Sequence, residues 1–264
     1  MTAEHAKGDK PMKMQRAMVG GLFAVLVGVG VAPTAVWADA KADAIETGRL
    51  LAILLDAGRA TVGANQALIN DASKGDKGFT PEVFEKQLTA KFQERSGVNL
   101  ADLPNAKVPA MTKLMLPPLV EVQKRVVADY QPIINRPGVG FKGFIPATFG
   151  TQTTVRYTAK TGHYLKQTAA DKILRNPRNK ADEFEAAVLA KFADPSYPRT
   201  GEKIVSEVVD GGKAVRVMLP LFYGKGCLGC HGEPAGERDI TGYKRDGYKE
   251  GDNGGAISVK LSLK

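Results

Sequence analysis

The apolar residues change period part-way along this chain, and that change limits its possible folds more than any other feature. Over residues 41–70, Ile45, Leu50, Leu51, Leu54, Leu55, Ala57, Val62 and Leu68 recur at helical spacing. Beyond residue 200 the period falls to two. Lys203 to Val209 and Ala214 to Leu221 alternate apolar and polar residues on either side of Asp210-Gly211-Gly212, which reads as a β-hairpin. Ala256 to Leu263 alternates again and reads as a closing strand, and His163 to Thr168 as a short one. Helices followed by antiparallel strands predict an α+β fold, with a helical N-terminal layer on a small antiparallel sheet.

Local signals punctuate the helices. Ser73 to Gly78 reads as a turn, and Thr80 before Pro81 and Glu82 starts a helix that carries Val83, Phe84, Leu88 and Phe92 and stops at Gly97. Residues 98–117 are punctuated by proline and read as irregular, with a helix over 118–130. Arg136 to Gly140 reads as a loop, and a helix over 145–160 is closed by Gly162. Asn176 to Asn179 reads as a turn that caps a helix over 181–193, with Phe184, Val188, Leu189 and Phe192 on one face.

The first 38 residues read as a leader. Lys13 and Arg16 precede an uncharged run from Ala17 to Val31, Pro33 breaks it, and small residues follow at Val36 and Ala38, or at Ala38 and Ala40. That is the layout of a secretory signal cleaved after Ala38 or Ala40. An uncleaved anchor is the alternative, but the run falls short of the roughly 20 apolar residues a span wants. The expectation is a periplasmic mature protein with no stable membrane span.

Lys and Arg number 37 against 28 Asp and Glu, and the excess of basic residues survives removal of the leader. Export argues against a nucleic-acid partner. The positive charge suits acidic redox partners or an anionic membrane surface, although scattered basic residues also serve solubility alone. With hydrophobic residues at 43% and charged at 25%, neither a disordered tail nor a multi-span membrane protein fits.

Both cysteines of the chain lie in one pentapeptide, Cys227-Leu-Gly-Cys-His231. Cys-x-x-Cys-His is the attachment pattern of c-type haem. Its two thiols add to the two vinyl groups of one porphyrin edge, and the following imidazole turns to the iron as proximal ligand. Three other readings compete. A thioredoxin-like dithiol lacks its βαβ context here. A structural zinc needs four ligands, and beyond the leader only two Cys and two His, His163 and His231, are on offer. A plain disulfide is chemically possible in an oxidising compartment.

Arg175 to Asn179, Asp182 to Glu185, Pro220, Cys227 to Gly232, Pro234 and Gly251 to Ala256 together resemble one family. It is the bacterial c-type haem domain with a PAS-like fold, found alone or as the sensor part of histidine kinases and chemotaxis receptors. The resemblance covers about 145–264 well and 41–140 less specifically. Beyond the leader over 1–38, it implies a helical extension over 39–140 packed on the same core and a PAS-like haem domain over 141–264. It also implies a single covalent haem c, held by thioethers from Cys227 and Cys230, with His231 as proximal ligand. Some members supply a cysteine from the preceding helical part as sixth ligand; this chain has no third cysteine.

The sixth position is therefore open. His163 and Met218 are its candidates, ahead of Met111 and Met115, with water or an open site as the alternative. A Met ligand raises the reduction potential, whereas an open iron takes a small gas. Arg175, Arg178 and Arg216 are candidates for the haem propionates, though each also reads as a surface charge or local cap. Phe222 and Tyr223 are candidates to pack on the porphyrin or simply in the sheet core, and Tyr243 and Tyr248 to cover one haem edge. Gly251 to Gly255 reads as a tight turn before a strand, not as a phosphate loop.

Two functions follow. One is an exported monohaem cytochrome in one-electron transfer with a redox partner protein. The other is a haem-based redox or gas sensor. Because the sequence runs out at Lys264, directly after the last strand, such a sensor signals through a separate membrane-bound protein. No His/Arg distal pair is recognisable, so the chain is not read as an enzyme.

Overall fold

A computed structural model describes residues 33–263, with side chains from Asp39 onward; residues 1–32 of the leader expected over 1–38 lie outside the described residues. The order of elements is α1 (Pro33–Ala64), α2 (Gln66–Ile69), α3 (Pro81–Ser96), α4 (Ala110–Ile134), α5 (Pro146–Thr161), β1 (Tyr164–Thr168), α6 (Glu183–Ala193), β2 (Val205–Val209), β3 (Ala214–Phe222), α7 (Leu228–His231) and β4 (Asn253–Ser262). The fold is α+β, as the two periodicities predict. None of the described helices is long and apolar enough to cross a membrane.

Helix α1 is the centre of the molecule. Leu50, Leu51, Ile53, Leu54 and Leu55 are all fully buried, so this helix is apolar on every side at its middle. One side meets α3, α4 and α5, and the other meets β3 and β4, where Val215, Val217, Ile257 and Val259 face it. The four strands are antiparallel in the order β1-β4-β3-β2, which puts the first strand beside the last. A single cluster of buried residues runs from Ala44 through the helices to Leu263.

The helix ends follow the sequence signals closely. The Thr80 hydroxyl accepts from the Val83 amide, and Gly97 and Gly162 both close their helices at φ 74°, a left-handed conformation open to glycine. The hairpin turns through Asp210, Gly211 and Gly212, all at positive φ.

Two expectations are corrected. Helix α4 starts at Ala110, not near 118, and runs straight through Pro117 and Pro118. Each interior proline costs about 3 kcal/mol. Met115, Leu116, Leu119, Val126 and Val127 are buried along the same helix, and each returns about 1.5–3 kcal/mol. Helix α6 is capped not by the 176–179 turn but by Asp182. The Asp182 carboxylate accepts from the Glu185 amide at 2.8 Å, and Glu185 accepts from the Asp182 amide at 3.1 Å. Asn176 instead caps its own short turn, accepting from the Arg178 amide.

Candidate functional site

Residues 223–252 connect β3 to β4 and carry the pentapeptide. The connection is clamped where it leaves the sheet: the Tyr223 amide donates to the Asp252 carbonyl at 2.9 Å, and the Gly251 amide donates to the Tyr223 carbonyl at 2.8 Å. Gly254 makes room for this clamp, since a Cβ there would stand 2.6 Å from the Tyr223 ring.

A tight turn over 225–227 leads into the single turn of α7, with the Cys227 amide on the Gly224 carbonyl and the Gly232 amide on the Leu228 carbonyl. The i, i+3 spacing sets Cys227 and Cys230 on one side of that turn. Both are free thiols, Cys227 exposed and Cys230 half-buried. Burial, with Asp239 adding to it, pushes the Cys230 thiol up, so it stays protonated at neutral pH.

His231 is fixed on three sides. Its carbonyl accepts from the Tyr248 amide at 2.8 Å, and its ring stacks on Tyr223 with centroids 4.7 Å apart and planes at 22°. Its Nδ1 lies 2.5 Å from Oδ2 of Asp246 and 3.2 Å from the Tyr223 hydroxyl oxygen. A carboxylate only accepts, so Nδ1 carries the proton and donates it. Burial pushes the imidazole below its ordinary value, the bond to Asp246 opposes this, and Arg175 adds to the lowering. The result is a neutral ring with its lone pair on Nε2, which makes no hydrogen bond among the described residues.

Arg175 binds the loop together. Its guanidinium donates to Asp239 Oδ2 at 2.7 Å, to the carbonyls of Cys230 (3.0 Å) and Lys244 (3.2 Å), and to Asp246 Oδ2 at 3.2 Å. It also lies 5.2 Å from the Tyr243 ring centroid, and the Tyr243 hydroxyl donates to the Arg175 carbonyl. Burial pushes the Asp239 carboxyl up, but hydrogen bonds from Thr241 and Arg175 win and hold it below the usual carboxylate range.

The structure brings Cys227, Cys230, His231, Arg175, Tyr223, Tyr243 and Tyr248 together. It places the other candidates elsewhere. Arg216 lies on β3 under α6, with only 7% of its surface exposed, bonded to Asp182, Glu185 and Ser258. Six residues of strand, about 20 Å, separate it from Phe222 at the loop end. Arg178 is exposed on its turn. Met218 is fully buried with Val188, Leu189 and Phe192. His163 is exposed just before Tyr164, whose partner is Lys260, whereas the loop joins β4 near the far end of β1, where Thr168 pairs with Ala256. Met111 and Met115 belong to α4. Asp246 and Asp239 were missed: they sit in a loop without periodicity, and no spacing rule singles them out.

One loop of the α+β body thus presents two free thiols on one helical turn, followed by an imidazole held at Nδ1 and free at Nε2. The chain belongs to the Tll0287-like family, whose model matches residues 38–262, nearly all of the described structure. Among solved structures it is similar to that of the cyanobacterial heme-protein Tll0287, at 18% identity and a TM-score of 0.36, covering 44% of this chain and 71% of that one. No curated protein matches the chain.

Proposed function

We propose that this chain is an exported c-type haem protein holding one covalent haem, and that it exchanges single electrons with a partner protein. The observation that carries this reading is the state of His231 beside the two thiols. Nδ1 is taken by Asp246, so only Nε2 is left to face an iron, and Cys227 and Cys230 are free on the same turn. The donor set fits haem. It does not fit zinc, because His163 stands at the far end of β1 from the pentapeptide. Family membership supports the same reading, since the family bears the name of Tll0287, described as a heme-protein.

When bound, the haem supplies an iron that cycles between ferric and ferrous states. The chain's own residues do the rest. Cys227 and Cys230 would hold the haem through thioethers, His231 would present its lone pair to the iron, and Arg175 fixes the Cys230 carbonyl and so the angle of the turn. Arg175 is itself saturated by carboxylates and carbonyls, which leaves Lys172, 5.4 Å from the Tyr248 ring, as a basic side chain beside the same aromatic wall. Export suits the chemistry, because this attachment takes place outside the bacterial inner membrane.

A second reading, a redox or gas sensor, is favoured by one specific observation. His163 lies at the far end of β1 from the loop and Met218 is buried under α6, which supports an iron left open on its sixth side. A matured protein isolated from a host with cytochrome maturation machinery tests both readings. A red protein with the mass of one added tetrapyrrole is expected, and a colourless one of unmodified mass overturns the haem assignment. A low-spin ferrous spectrum indifferent to carbon monoxide supports the carrier, and prompt carbon monoxide binding supports the sensor.

A further inference from the structure

Asp246 is fifteen positions beyond His231 in the chain, yet it makes the shortest contact to the imidazole. The geometry points to Asp246 as a positioning residue that holds His231 by Nδ1 and drives the reduction potential of the attached group downward. This inference rests on the haem reading above and goes beyond it.

Asp239 and Asp246 share one guanidinium, Arg175, through bonds of 2.7 and 3.2 Å. Two carboxylates against one cation leave one negative charge in the cluster. Arg175 is nearer to Asp239, and its second nitrogen is divided among Asp246 and the carbonyls of Cys230 and Lys244. Asp246 therefore keeps most of its charge for the Nδ1 proton.

A donor bound to a carboxylate becomes more anionic in character, and in imidazole that electron density reaches Nε2. A more basic Nε2 stabilises ferric over ferrous iron. Reduction adds one electron from an external one-electron donor and breaks no bond, and the proton stays on Nδ1. The negative cluster opposes that electron on purely electrostatic grounds as well, so both effects act in one direction. Tyr223 closes the other side of the ring, with its hydroxyl oxygen 3.2 Å from Nδ1.

The test is a spectroelectrochemical titration of the matured full chain against its Asp246→Asn and Asp246→Glu variants. Asparagine keeps an acceptor and loses the charge. Its ferric-to-ferrous ratio at fixed ambient potential is expected to fall about tenfold, which is an upward shift of about 59 mV for a one-electron couple. Asp246→Glu restores the charge and is expected to return the ratio to within threefold of the parent. Haem-loaded Asp246→Asn with a ratio within threefold of the parent overturns the inference. Should Asp246→Asn fail to retain haem, Asp239→Asn carries the test. It removes the competing carboxylate, gives Arg175 wholly to Asp246, and is expected to lower the ratio at least threefold; an unchanged ratio overturns the inference. A parent protein that takes up no haem sinks the haem reading itself, whereas equal potentials in haem-loaded variants sink only the role of Asp246.

Discussion

The body of the molecule and the loop over 223–252 are held by different forces. In the body, α1 is buried all round by leucine and isoleucine, and the core continues through the sheet. In the loop only Tyr223, Gly232 and Asp239 are buried, and Leu228 and Ile240 are not. The loop keeps its shape through Arg175, Asp239, Asp246 and main-chain hydrogen bonds instead. Apolar burial grows with area and tolerates small displacements, whereas hydrogen bonds demand defined positions. The body thus supplies stability, and the loop supplies a precise placement of two thiols and one imidazole.

Among the buried polar groups of the body, the cluster around Glu185 gives the largest expected effect. Glu185 is fully buried and meets Arg216, Lys166 and Tyr164. Arg216→Ala strips a buried carboxylate of its cation and is expected to cost about 3–5 kcal/mol in urea unfolding. Burial pushes Glu185 up, but Lys166, Tyr164 and the Asp182 amide outweigh it and hold Glu185 below its ordinary value. Its contribution is then complete above the unfolded-state value of about 4.3 and is lost as pH falls through the lower folded value. Urea midpoints compared at pH 7 and pH 4 check the sign, and a higher midpoint at pH 4 from this network contradicts it.

Leu54→Ala comes next. Leu54 is fully buried in α1, and its truncation is expected to cost about 2–5 kcal/mol and to lower the unfolding midpoint of the whole body. Arg175→Ala is the smallest globally and sharpens the contrast most. Its loss strands Asp239, which is buried in the loop, and that cost is expected to be met by local opening of the loop, so global stability changes less than in Leu54→Ala. Amide exchange at Gly247 and Tyr248, which bond to the carbonyls of Gly232 and His231, is expected to rise at least about tenfold. A loss of global stability equal to that of Leu54→Ala would show the loop and body to be one cooperative unit and would break the comparison.

Legibility in the sequence followed the range of the interaction. Thr80, Gly97, Gly162 and the Asp210-Gly211-Gly212 turn act within a few residues, and each marked its element correctly. Helix α4 was hidden because Pro117 and Pro118 are local signals overruled by packing against α1 and α3. Arg216 read as a possible surface or propionate charge because nothing local to β3 announces Glu185, 31 positions away.

The same division holds for the site. The order of Cys227, Cys230 and His231 is a matter of covalent spacing within five residues, so the sequence alone determined that two thiols and an imidazole share one turn. Which nitrogen of His231 is left free was decided only by the tertiary structure, because Asp246 reaches it through a loop whose course Arg175 sets from 71 positions away. A proton's location on an imidazole depends on what stands within hydrogen-bond reach, and that reach is a fact of space rather than of order along the chain.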